Sequence, residues 1–262
     1  MDWFWANTEM ISRLTALHLF QAVVPLVLGL LIAIPLAQFA RLHRFAGGAI
    51  LGTSAILYTI PSLALFVLLP VILGTRVLDI TNVVVALTIY AVALLVRSTV
   101  DALNSVDDDV RQAATAMGYR PLRRFFTVDL PLSVPVLIAG LRVVSVSNIS
   151  IVSVGALIGV ENLGFFFRDG LRRYFITEIV VGIIATLVLA FAMDLFFVLL
   201  QRALTPWLRA GTGSGSGLRR GRRGGKRSGG QPGDGPGQPP GSTDTRPART
   251  LAAAPDAALK GA

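Results

Sequence analysis

Five stretches of this chain, at about 16–39, 48–73, 82–96, 132–158 and 176–200, are apolar almost from end to end. About 20 such residues in a helix cross the ~30 Å of bilayer hydrocarbon, and the helix satisfies every backbone amide within its own segment, as lipid demands. The third stretch is short for this and is expected to extend at one end or the other. With 53% hydrophobic residues and a mean hydropathy of +0.66, the chain is too apolar for a water-soluble domain. The pattern predicts an all-α, polytopic membrane bundle of about five transmembrane helices.

Charge divides the chain in two. Residues 211–262 hold nine of the 24 Lys and Arg but three of the 15 acids, so two thirds of the formal +9 sits there. The basic balance therefore describes a tail and implies no nucleic-acid partner. The reading is a transmembrane domain over 1–209 and a Gly/Pro/Arg-rich cytoplasmic tail over 210–262, too poor in apolar residues to build a core and expected to be disordered. The tail arginines either remain solvated or lie on an anionic leaflet. Without cysteine there is no disulfide framework, thiolate metal site or Cys nucleophile. The opening Met1-Asp2-Trp3-Phe4-Trp5 lacks the basic start of a signal peptide, so the first apolar stretch is expected to be retained.

Lys and Arg in short loops favour the cytoplasmic side. An outside N-terminus puts Arg41, Arg44, Arg97, Arg111, Arg120, Arg123, Arg124, Arg202 and Arg209 inside, against Arg13, Arg76, Arg168, Arg172 and Arg173 outside. A short amphipathic helix at the outer surface, with Phe165, Phe166, Phe167 and Tyr174 at headgroup level, would accommodate the last three. The spans also carry Pro25, Pro35, Pro61, Pro70 and Pro135, each expected to bend its helix by removing a backbone hydrogen bond. Such bends suit a moving bundle, although proline is in any case commoner in membrane helices.

The longest polar segment between spans, from Arg97 to Asp129, is organised. Asp107, Asp108 and Asp109 supply a cap and negative charge for a helix N-terminus. From there Val106, Val110, Ala113, Ala114 and Met117 recur at helical spacing as one narrow apolar stripe, with Arg111, Gln112 and Thr115 opposite. Gly118 is placed to stop the helix with positive φ, and Pro121 to start a second one. A projecting helix with small residues on its apolar side suits a groove on a partner, or else packs back on the bundle or the membrane.

The order Gln112-Ala113-Ala114, three residues, Gly118, nine residues, Val128, one residue, Leu130-Pro131 resembles the EAA loop of ATP-binding-cassette (ABC) importer permeases, with Gln112 in place of Glu and Val128 in place of Ile. The resemblance implies a type I ABC importer permease (MetI-like) fold whose loop, about 99–131, couples to a separate ATPase subunit. Val110, Gln112, Ala113, Ala114, Met117, Gly118, Val128, Leu130 and Pro131 would form the coupling surface. ATP and Mg would then be bound by that partner, with no cofactor on this chain. The segments around Gly29 to Ala37, Thr59-Ile60-Pro61-Ser62, Gly140-Leu141-Arg142 and Leu163-Gly164 are similar to permeases of osmoprotectant importers, which handle glycine betaine, carnitine, choline or proline betaine. The Ile60-Pro61-Ser62 segment is shared with neighbouring importers, including those for methionine. This resemblance covers about 15–208 and implies a second permease copy or paralogue, an extracytoplasmic binding protein and a place in the bacterial cell membrane.

Arg142 and Asp194 fall inside the fourth and fifth spans, where ionisable groups are costly and usually face a cavity or a neighbouring helix. They are candidates for a translocation pathway or for a structural or interface pair. Arg97 and Asp101 stand one turn apart, a spacing suited to a local ion pair. His18 and His43 have no carboxylate at metal-ligand spacing. Gly225-Lys226 is followed by Arg227 rather than Ser or Thr, so the chain has no phosphate-binding loop for hydrolysing ATP itself. A secondary transporter or intramembrane enzyme would show inverted repeats with buried acids or catalytic His/Asp groups, and neither pattern is evident.

Overall fold

The computed structural model describes residues 2–206, all helix or connecting turn with no strand among them. The tail expected over 210–262 lies outside the described residues. A short α1 (Asp2–Ala6) leads into α2 (Thr8–Leu42), followed by α3 (Arg44–Thr59), α4 (Ser62–Leu73) and α5 (Ile80–Asn104). The polar loop forms α6 (Asp108–Ala116) and α7 (Pro121–Arg124), then a π turn (Phe125–Asp129) running into α8 (Leu130–Gly155). A last short helix, α9 (Gly164–Arg172), precedes α10 (Ile176–Leu204).

Helices α2, α5, α8 and α10 are each long and apolar enough to cross a membrane. The expected second span is instead a broken one: α3 and α4 meet at an angle of 101°. The break falls at Ile60-Pro61. Ile60 adopts extended dihedrals (φ −66°, ψ 128°), as a residue before proline does when the ring excludes the helical region. The Tyr90 hydroxyl on α5 donates to the Ile60 carbonyl, which satisfies a group the broken helix leaves free. The other four prolines lie within helices that continue through them. The third span does extend, to Ile80–Asn104. Its start is set by Asp79, whose side chain accepts from the Thr81 N–H at 2.9 Å, a bond that holds the Asp79 carboxyl below its usual pKa range.

The central helix is α5, which lies against α2, α3, α4 and α8. In its most apolar stretch 56% of residues are buried inside the protein, against 11% for α10, whose outer face carries Ile184, Leu187, Val188 and Phe191. The α2–α5 contact is close because Gly29 has no side chain: a Cβ built there would stand 2.6 Å from the Cβ of Ala91.

The short helix near residue 170 forms, but its aromatics do not line a headgroup belt. Phe166 is fully buried with its ring edge-on to Trp3, Phe165 and Phe167 are half-buried, and of the four only Tyr174 is exposed, at 92%. Gly182 of α10 lets Phe166 and Phe167 approach, so burial against α10 draws the rings inward. Beside them His18, Gln21, Asn148 and Asn162 are buried and bonded. The His18 Nδ1 accepts from the Leu163 N–H at 3.3 Å, so Nε2 donates to the Ile149 carbonyl at 3.0 Å. Gln21 donates to the Glu161 carbonyl at 2.7 Å. These bonds are structural and tie the turn after α8 to α2.

Candidate functional site

The polar loop between α5 and α8 folds as its local signals dictate. Asp107 caps α6, accepting from the Asp109 N–H at 2.8 Å. At the other end Gly118 takes φ +85°, and two bonds close the helix: Gly118 N–H to the Thr115 carbonyl at 3.0 Å and Tyr119 N–H to the Ala114 carbonyl at 3.2 Å. This is the Schellman pattern, which needs a left-handed residue at the turn. Pro121 opens α7, where its missing N–H costs nothing.

The expected single apolar stripe is split. Ala114 (2% exposed) and Val106 turn inward, whereas Val110, Ala113 and Met117 (71% exposed) point away from the bundle with Gln112. Leu122 and Phe126 are exposed beyond them. Gly118 is open on all sides, with nothing within 4 Å of where a Cβ would stand. Val128, Leu130 and Pro131 are half-buried where the π turn enters α8. The loop thus carries an uncovered apolar surface of Val110, Ala113 and Met117 beside the part, Val106 and Ala114, that packs on the protein itself.

Arg111, expected opposite the stripe, folds back instead. The reason is Asp129, a residue sequence reasoning passed over because it fills the unspecified position between Val128 and Leu130. Its carboxylate is 1% exposed and is surrounded by three guanidinium groups: Arg41 Nη2 at 3.2 Å, Arg111 Nε at 3.3 Å and Arg124 Nε at 3.7 Å. The Leu103 carbonyl at the end of α5 accepts from both Arg41, at 3.3 Å, and Arg111. Arg111 also reaches Asp108 at 2.5 Å. A buried carboxylate needs opposite charge and donors, and these arginines supply both. The available signal was the run of arginines in this loop followed by one apolar-flanked acid.

Arg142 and Asp194 are brought together, Nε to Oδ1 at 2.7 Å and Nη2 to Oδ2 at 2.8 Å, joining α8 to α10. Arg97 and Asp101 both face outward and do not pair among the described residues.

Comparison with known proteins agrees with this architecture. The family described as binding-protein-dependent transport system inner membrane component matches residues 26–210. The chain is 30% identical to the osmoprotectant import permease OsmW of Salmonella typhimurium, over 76% of this chain and 94% of that protein. It is 32% identical to the choline transport permease OpuBD of Bacillus subtilis, over 75% of this chain and 82% of the relative. The ergothioneine transport permease/binding protein EgtU of Helicobacter pylori is 34% identical over 67% of this chain and 31% of its own length. Among solved structures, a chain of the inward-facing MetNI methionine ABC transporter shares the fold at a TM-score of 0.66, with 20% identity over 76% of this chain and 98% of that one. The protein is a multi-pass membrane component of the binding-protein-dependent ABC importers, in the family of osmoprotectant import permeases.

Proposed function

We propose that this chain carries a small solute with a quaternary ammonium head, such as glycine betaine, carnitine, choline or proline betaine, across the membrane when a separate ATPase docks on α6. The observation that carries the coupling is the uncovered surface of Val110, Ala113 and Met117 on a helix whose ends are capped. The single methyl of Ala113 allows another subunit's groove to approach closely, Ala114 seats the helix from its buried side, and Gln112, Gly118, Val128, Leu130 and Pro131 shape the turn that presents it. ATP and Mg belong to that partner, and this chain hydrolyses no ATP itself. Substrate reaches the bundle from an extracytoplasmic binding protein, and a second permease copy or paralogue completes the path. The arginine distribution supports an outside N-terminus with the α6 loop and the tail in the cytoplasm.

The solute class rests on the osmoprotectant and choline relatives. The resemblance to EgtU favours ergothioneine as a second reading within the same chemistry, since it too bears a trimethylammonium group. Methionine or another small solute is the remaining alternative, because the likeness to the methionine transporter is one of fold. Proteoliposomes containing this permease, its co-purifying ATPase and the binding protein should take up one labelled quaternary ammonium solute in an ATP-dependent manner. Uptake of methionine alone would overturn the solute assignment, and uptake indifferent to ATP would overturn the importer reading.

A further inference from the structure

We infer that Asp129 is a positioning residue for transport: it fixes α6 to the end of α2, so that a displacement of α6 is passed into the bundle. The inference rests on the reading of α6 as the ATPase-docking helix.

Four elements meet at this one carboxylate. Arg41 comes from the last turn of α2, Arg111 from α6 and Arg124 from the end of α7, and Asp129 itself stands one residue before α8. The π turn makes this possible. Its wider turn leaves Phe125 and Asp129 as its two buried residues, so Asp129 shares the inward face with a ring packed on Ala37 and Leu103.

Apart from the bond that the Thr115 hydroxyl accepts from Arg124 at 2.9 Å, helix α6 has little else to hold it. Its one buried residue is Ala114, and its main neighbours are α7 and the π turn rather than the long helices. Arg111 is therefore its main tie to the bundle, through Asp129 and the Leu103 carbonyl. Three guanidinium groups gathered on one acid attract only while that acid is charged. With Asp129 neutralised, they repel one another, and Arg111 keeps only exposed Asp108 and a carbonyl. Coupling between two sites needs an element that both of them move, and a helix released from α2 no longer provides one.

The chain has no cysteine, so labels can be introduced directly. Met117→Cys at the C-cap of α6 and Leu42→Cys at the end of α2, both exposed in the parent, take spin labels on the full chain in nanodiscs. The distance distribution should be narrow in the parent, broad in Asp129→Asn and narrow again in Asp129→Glu. With the ATPase and binding protein present, ATP hydrolysed per solute moved should rise about tenfold in Asp129→Asn, within the range typical of intersite couplings. Should Asp129→Asn fail to insert, Arg41→Gln and Arg111→Gln carry the same measurements. A narrow distribution in the neutralised variants, or an unchanged ATP-to-solute ratio, overturns the inference. Absence of any ATPase association in the parent would instead sink the docking reading, while the labelled chain alone still decides whether Asp129 holds α6.

Discussion

Arg142 on α8 and Asp194 on α10 form a two-pronged ion pair, yet their side chains remain 37% and 33% exposed on a surface that otherwise belongs to lipid or to another subunit. A pair left partly open at membrane depth suits cover by another subunit or the lining of a polar path. Replacing Asp194 by Asn leaves Arg142 without its counter-charge and should lower the melting temperature of the detergent-solubilised protein. The double change Arg142→Leu with Asp194→Leu should cost less than either single change, because the stranded charge disappears. A double variant that melts no higher than Asp194→Asn would refute this account.

Met117 and Ala114 separate docking from folding. Met117→Asp should insert and melt like the parent, since that side chain is exposed, but should lose the co-purifying ATPase. Ala114→Asp places a charge at a buried position and should unfold the loop itself, seen as rapid proteolysis between α5 and α8. Retention of the ATPase by the Met117 variant would remove α6 from the interface.

Gly118 tests the turn rather than the space around it. A side chain has room there, but an L-residue at φ +85° costs roughly 1–2 kcal/mol, least for Asn and most for a β-branched residue. Gly118→Asn should keep most of the uptake and Gly118→Val lose it, with membrane insertion the same for both. Equal activity of the two would show that the left-handed turn is dispensable.

At the α2–α5 crossing, Gly29→Ala drives a methyl to within 2.6 Å of the Ala91 Cβ. Overpacking of this kind costs about 1–3 kcal/mol. Adding Ala91→Gly should restore much of the loss, which thermal unfolding of the single and double variants will report. No recovery in the double variant would place the strain elsewhere.

Tyr90→Phe removes the donor to the Ile60 carbonyl at the α3–α4 break. Leaving that carbonyl unpaired away from water should cost about 1–3 kcal/mol. Hydrogen exchange should quicken at the N-terminus of α4 and stay unchanged in α10, and uniform exchange would mean that Tyr90 does not hold the break.

The apolar stretches alone determined that this chain lives in lipid as helices, because a backbone deprived of water must pair within its own segment. The form of the α6 loop was also legible. Asp107, Gly118 and Pro121 act on hydrogen bonds two to five residues away, so their effect is written locally. What the sequence could not show depends on partners remote along the chain. Five prolines look alike, but it is Pro61 that ends a helix, where a tyrosine 30 residues from Ile60 supplies the missing donor. Phe166 turns away from the outer surface because Gly182 opens a place for it. Asp129 gathers its partners from Arg41, 88 positions earlier, and from Arg111, which local spacing had set opposite the apolar stripe. Local patterning determines which segments are helices. Which charges face inward follows only once packing has removed water from around them.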